Sequence, residues 1–105
     1  MARFDVYRNP GSHSSSTPYL LDVQSDLLNG LDTQMVVPLR SLAYFPDVHL
    51  PEDLTPIFRI KGVEVLLETP KMGAVPSRIL KEPVANLANE HSRILAALDF
   101  LFQGY

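Results

Sequence analysis

The 105-residue sequence contains no cysteine, so no disulfide, thiol nucleophile or thiolate metal site can be built from it, which is compatible with a reducing compartment. It also lacks an excess of positive charge. With 9 Lys and Arg against 12 Asp and Glu, the net charge of -3 gives no general attraction for a polyanion and disfavours direct nucleic-acid binding. No apolar run reaches the roughly 18 residues that a bilayer crossing requires. The opening Met1-Ala2-Arg3-Phe4-Asp5-Val6 is interrupted by charge too early for a signal peptide, so the chain is expected to be soluble and cytoplasmic, with no membrane partner. Gly62, Gly73 and Gly104 are isolated from one another and form no phosphate-cradling loop. His13, His49 and His91 are far apart and none belongs to a metal-spaced pair. The length fits a single domain spanning residues 1–105, without internal repeat, and small enough for dimerisation to matter to its stability.

What is present points to short strands and one helix. Phe4 to Tyr7 alternates as a half-buried strand does, Tyr19 to Val23 offers a second, and the turn-forming stretch from Asn9 to Pro18 makes an exposed loop between them. Met35 to Leu39 reads as a third strand, whose Pro38 implies an edge position or a bulge. Ile57 to Ile60 and Val63 to Thr69 flank Lys61-Gly62 as the plainest hairpin. Residues 41–56 show no period and read as a packed loop, Pro70 to Pro76 as a connector, and Ser77 to Leu80 as a last strand. From Pro83 to Tyr105, Val84, Leu87, Ala88, Ile94, Leu95, Leu98, Leu101 and Phe102 recur at helical spacing. Pro83 suits a first helical position and Gly104 a stop. The fold class expected is β-rich α+β: a small twisted sheet or partly open barrel with a C-terminal helix laid across it.

Catalytic equipment is hard to find. Glu64 and Glu68 fall on one face of a strand and read as a solvated face rather than an acid/base pair. His91, near the apolar stripe, reads as a partly buried, hydrogen-bonded side chain, and the serines around His13 do not constitute a triad. Arg59, Lys61, Lys71, Arg78 and Lys81 form a basic cluster diluted by Glu64, Glu68 and Glu82. Leu27 and Leu28, adjacent after a polar turn, must point in different directions, so they read either as a contact site or as ordinary core. The chain is therefore expected to be a binding protein, not an enzyme, with no catalytic residues, cofactor or metal.

The order of Phe4-Asp5-Val6-Tyr7, Leu21-Asp22-Val23-Gln24-Ser25-Asp26-Leu27-Leu28, Val36-Val37-Pro38-Leu39, Met72-Gly73-Ala74-Val75-Pro76 and a helix ending in Gln103-Gly104-Tyr105 resembles the CcdB toxin family over nearly the whole chain. The run Asp22-Val23-Gln24-Ser25-Asp26 is its most specific piece. The resemblance implies a barrel of about five to seven strands, similar to SH3 domains, with a C-terminal helix. It implies a homodimer neutralised by a CcdA-like antitoxin, with which it autoregulates transcription. It further implies binding to the A subunit of DNA gyrase and trapping of the gyrase-DNA cleavage complex. The gyrase contacts it implies are Gln103, Gly104 and Tyr105 with Leu27 and Leu28, joined by Asp99 and Phe4. A well-known member of the family ends in Trp-Gly-Ile where this chain has Gln103-Gly104-Tyr105. Arg8, Arg40, Arg59 and Arg78 are candidate receivers of acidic antitoxin segments. The competing functions are a ribonuclease toxin on the same barrel and a non-toxic homologue that only binds antitoxin.

Overall fold

The computed structural model describes residues 2–45 and 50–104. Its seven strands form one curled antiparallel sheet: β1 (Asp5–Arg8), β2 (Tyr19–Asp22), β3 (Thr33–Ser41), β4 (Ile57–Ile60), β5 (Val63–Leu67), β6 (Gly73–Pro76) and β7 (Pro83–Asn86). The strand order is β4-β5-β3-β2-β1-β7, with β6 also paired to β3. The helix α1 (His91–Gln103) follows. The expected small barrel with a C-terminal helix is therefore the observed architecture.

The β4–β5 hairpin turns where its sequence requires it to. Lys61 and Gly62 both adopt positive φ, 50° and 81°, the combination whose twist matches that of flanking strands. Strand β3 is the spine. At nine residues it pairs Tyr19–Asp22 on one side, while its other side is shared between Gly73–Pro76 near its start and Val65–Leu67 near its end. This sharing corrects the expectation for Pro38. It occupies neither an edge nor a bulge but a central strand opposite Leu20, and its carbonyl accepts the Glu68 N–H at 2.9 Å. The N–H and C=O of a strand residue face the same side, so the donor that proline lacks would have pointed to the gap where β6 departs and β5 joins.

Two elements differ from the sequence reading near the C-terminus. Gly73–Pro76 is strand β6 rather than a connector, and Ser77–Ile79 is a 3-10 turn rather than a strand. The stretch Pro83–Asn86 is not the start of the helix. It is edge strand β7, where Pro83 sits opposite Tyr7 beside a register shift in β1. An edge tolerates the missing N–H of a proline, and covering the flank of β1 outweighs helical periodicity here. Only at His91 does α1 begin, after a 3-10 turn over Ala88–Glu90, and it ends at Gly104 with φ 81° and a Gly104 N–H bond to the Phe100 carbonyl at 2.9 Å.

The core lies inside the curl: Val6, Leu21, Val37, Leu39, Val65 and Leu67 from the sheet meet Ile94 and Ala97 of α1, all fully buried. The guanidinium of Arg93 stands 4.6 Å from the Phe58 ring centroid and donates to the Ile57 carbonyl at 3.0 Å, fastening the first half of the helix to β4.

Glu68 and His91 correct further expectations. The face that Glu64 leaves exposed is covered further along the strand, with Leu66 at 6% exposure and Glu68 at 7%. Its Oε2 is met by Arg40 Nη1 at 3.5 Å and Lys71 Nζ at 3.7 Å, as a buried carboxylate requires. His91 is exposed, although hydrogen-bonded, with Nδ1 2.9 Å from the Ala88 carbonyl oxygen. His49 lies outside the described residues.

Candidate functional site

The run from Asp22 to Leu28 passes from the end of β2 into a 3-10 turn, Asp26–Leu28. Asp22 is fully buried, and every partner of its carboxylate is a donor. Gln34 Nε2 reaches Oδ1 and Oδ2 at 3.0 and 2.9 Å, and the Gln24 N–H reaches Oδ1 at 3.0 Å. Burial pushes the Asp22 carboxyl above its usual range, against the opposing pull of these hydrogen bonds. Gln24 then spans the loop: its Oε1 accepts the Met35 N–H at 3.0 Å, and its Nε2 lies 3.4 Å from the Leu28 and Thr33 carbonyls and from Gln34 Oε1.

The remaining residues of the run fix the turn. Ser25 Oγ accepts the Leu27 N–H at 3.2 Å as an N-cap, and Asp26 Oδ1 accepts the Arg3 N–H at 2.6 Å. Arg3 Nε returns a bond to the Val23 carbonyl at 3.0 Å. A stretch that reads as a strand end and a polar turn is therefore a bracket, held on both sides, with two leucines at its tip.

Both leucines face outward. Leu27 is 94% exposed and Leu28 49%, so their reading as core is wrong. An apolar side chain this exposed, on a turn this tightly hydrogen-bonded, costs hydration free energy without contributing to packing.

Phe4 has the opposite placement. Its ring is buried at 6% exposure, with Arg3 over it at 4.9 Å, and its backbone takes φ 71°. Such a conformation costs a non-glycine residue about 1 kcal/mol or more. It is held by Phe4 N–H to the Asp22 carbonyl at 2.7 Å and Leu87 N–H to the Phe4 carbonyl at 2.9 Å. Phe4 thus ties the N-terminal segment to the bracket.

The second group of candidates is carried by the end of α1. Asp99, Gln103 and Gly104 are all exposed, and Tyr105 lies outside the described residues. Sequence reasoning missed Phe102 here by assigning it to the buried stripe. Ile94, Ala97, Leu98 and Leu101 define the inward face, which leaves Phe102 about 100° away from its predecessor and 70% exposed. The bracket and the helix end thus both present exposed side chains.

Tyr7 lies behind the bracket, and sequence reading gave it no role beyond its strand. Fully buried, its hydroxyl is 3.5 Å from Asp5 Oδ2, and burial together with the charges of Asp5 and Asp22 pushes its pKa up to about 12 from 10.0. Because the folded form holds the proton more tightly, this stabilisation is intact below pH 10 and declines as pH rises from 10 towards 12. The loss amounts to about 2–3 kcal/mol across that window. Urea unfolding at pH 7 and pH 11 should show a steeper loss for the wild type than for Tyr7→Phe, and equal losses would exclude Tyr7 as the titrating group.

Among the described residues, no group of three or more His, Asp or Glu is placed to hold a metal ion, and no helix is long and apolar enough to cross a membrane. The family model of the CcdB protein matches residues 3–104. All seven strands, the bracket and α1 lie inside that match, and the chain belongs to the CcdB family, the toxins of toxin–antitoxin pairs.

Proposed function

We propose that this chain is a non-catalytic toxin that acts as a homodimer in the cytoplasm, binds the A subunit of DNA gyrase and traps the gyrase-DNA cleavage complex. A poison of this kind needs no catalytic group of its own, since the bond cleavage is performed by its target. The observation that carries the reading is Leu27, 94% exposed and held there by a capped turn, where the resemblance implies a gyrase contact. In this reading Leu27, Leu28, Asp99, Gln103, Gly104 and Tyr105 contact the target, and buried Phe4 acts from behind them. Gln103 stands where a well-known member of the family has a tryptophan anchor, and exposed Phe102 supplies an aromatic anchor one position earlier. A symmetric dimer presents two such helix ends to a symmetric target. A CcdA-like antitoxin that folds on binding neutralises it, with acidic segments received by basic side chains such as Arg8 and Arg78. Arg40 is engaged by Glu68, and Arg59 stands 3.9 Å from Glu64.

The test is gyrase-mediated DNA cleavage with the purified protein, comparing wild type with a chain lacking Gln103 to Tyr105. Cleaved complexes that form with the wild type and disappear on truncation are expected. If neither form produces them while the antitoxin still binds, gyrase poisoning is excluded.

A further inference from the structure

Donors and acceptors run in one direction from Asp22 to the backbone of the exposed turn. Ionised Asp22 can only accept, which forces Gln34 to present Nε2 to it at 2.9 and 3.0 Å. Gln34 must then present Oε1 to Gln24 Nε2, 3.4 Å away. That in turn leaves Gln24 Oε1 to accept the Met35 N–H at 3.0 Å, with Gln24 Nε2 directed also at the Leu28 carbonyl. Each amide has one orientation that satisfies both of its neighbours: Asp22 demands it at one end, and the Met35 N–H with the Leu28 and Thr33 carbonyls demands the same orientation at the other. We infer that ionised, buried Asp22 anchors one end of an amide relay, Asp22 to Gln34 to Gln24, whose polarity matches the backbone groups at its other end, and that this relay locks the Ser25–Leu28 turn and orients Leu27 and Leu28 for their partner. Asp22, Gln34 and Gln24 are then positioning residues. The lock itself is independent of which protein binds, whereas its functional consequence rests on the proposed gyrase contact.

Asp22→Asn is nearly isosteric but replaces an acceptor with a donor. In either amide orientation an N–H2 group faces Gln34 Nε2 or the Gln24 N–H at about 3 Å, where two donors repel. If Gln34 turns over to accept, its own Nε2 meets Gln24 Nε2. If Gln24 also turns, the Met35 N–H loses its acceptor. The error therefore travels to the turn. Adding Gln34→Glu repairs it once that side chain shifts off the retained Oδ1, which Gln34 Nε2 approaches at 3.0 Å, and onto the introduced amide: one carboxylate oxygen then accepts from that amide and the other from Gln24 Nε2. Gln24 regains its original orientation, with one carboxylate still in the network.

The experiment is amide hydrogen exchange on wild type, Asp22→Asn and Asp22→Asn/Gln34→Glu, read alongside binding of the gyrase A subunit. Exchange at Met35 and across residues 24–28 should quicken about tenfold in the single variant relative to the β4–β5 hairpin, and return to within about twofold of wild type in the double variant. Exchange at these amides that is unchanged in Asp22→Asn, or not restored by Gln34→Glu, overturns the relay. If Asp22→Asn does not fold, Gln24→Met severs the last link of the relay beside solvent, and unchanged exchange at Met35 and 24–28 there overturns it equally. Binding distinguishes the two readings. Exchange that follows the relay while gyrase affinity stays constant upholds the lock and removes Leu27 and Leu28 from the gyrase contact.

Discussion

Leu27→Arg is expected to weaken gyrase binding by at least about thirtyfold, and toxicity with it, while leaving the thermal unfolding of the protein unchanged. The expectation rests on the separation between what holds the turn and what the turn displays. The bonds described above that fix it involve the backbone or the side chains of Arg3, Asp22, Gln24, Ser25, Asp26 and Gln34, and the apolar Leu27 side chain takes part in none of them. At 94% exposure that side chain contributes little packing, so its replacement should alter stability by no more than about 0.5 kcal/mol. At an interface the balance reverses. An apolar anchor that becomes a charge without a partner loses its own burial and must be desolvated unpaired, together costing at least about 2 kcal/mol, or roughly a thirtyfold rise in Kd. Calorimetric titration with the gyrase A subunit, paired with a melting curve, measures both halves. An unchanged Kd would remove Leu27 from the contact. An equal loss of stability would mean that the turn is held less independently than its hydrogen bonds indicate.

The sequence made some elements legible and hid others for reasons that are local. The β4–β5 hairpin was readable because Lys61-Gly62 states its turn chemistry between two alternating runs, and β1, β2 and β3 were readable from their apolar and β-branched content. Strands β6 and β7 were not. Gly73, Pro76 and Pro83 are poor strand formers whose pairing with β3 and β1 is decided by residues about forty and eighty positions away, which no local window contains. Val84, Leu87 and Ala88 happen to continue the spacing of the real helix, so the pattern overran its start. The site divides the same way. Asp22-Val23-Gln24-Ser25-Asp26 was conspicuous as a motif, yet its function as a bracket depends on Gln34 and Arg3, which approach from β3 and the N-terminal segment. Exposure was the hardest property to read. Leu27, Leu28 and Phe102 have core-like side chains and lie outside, whereas Glu68 is charged and buried, met by Arg40 and Lys71.

Ile94→Ala is expected to do the reverse of Leu27→Arg: to lower stability strongly and leave the activity of the folded molecules intact. Ile94 is fully buried where α1 meets the interior of the sheet, alongside Ala97 and with half-buried Leu95 and Leu98 beside it. Deleting its side chain beyond Cβ should cost about 2–5 kcal/mol, a large share of the roughly 5–15 kcal/mol that holds a domain of this size. The melting temperature should fall by on the order of 10 °C or more. The attachment of the helix would nevertheless not be lost, because Arg93 still stacks on Phe58 and bonds the Ile57 carbonyl, and Ala97 stays buried one turn further on. Phe102, Gln103 and Gly104 lie beyond these fastenings, and the turn bearing Leu27 is held by its own bonds. Below its melting temperature, Ile94→Ala should therefore support gyrase cleavage at the wild-type level per folded molecule. Differential scanning calorimetry with a cleavage assay at about 15 °C, near the temperature of maximum stability of a typical domain, tests this pair of outcomes. A variant that is folded at that temperature but inactive would mean that the helix end is set by core packing as well as by the Arg93 fastening, and would extend the functional unit from the exposed face into the barrel.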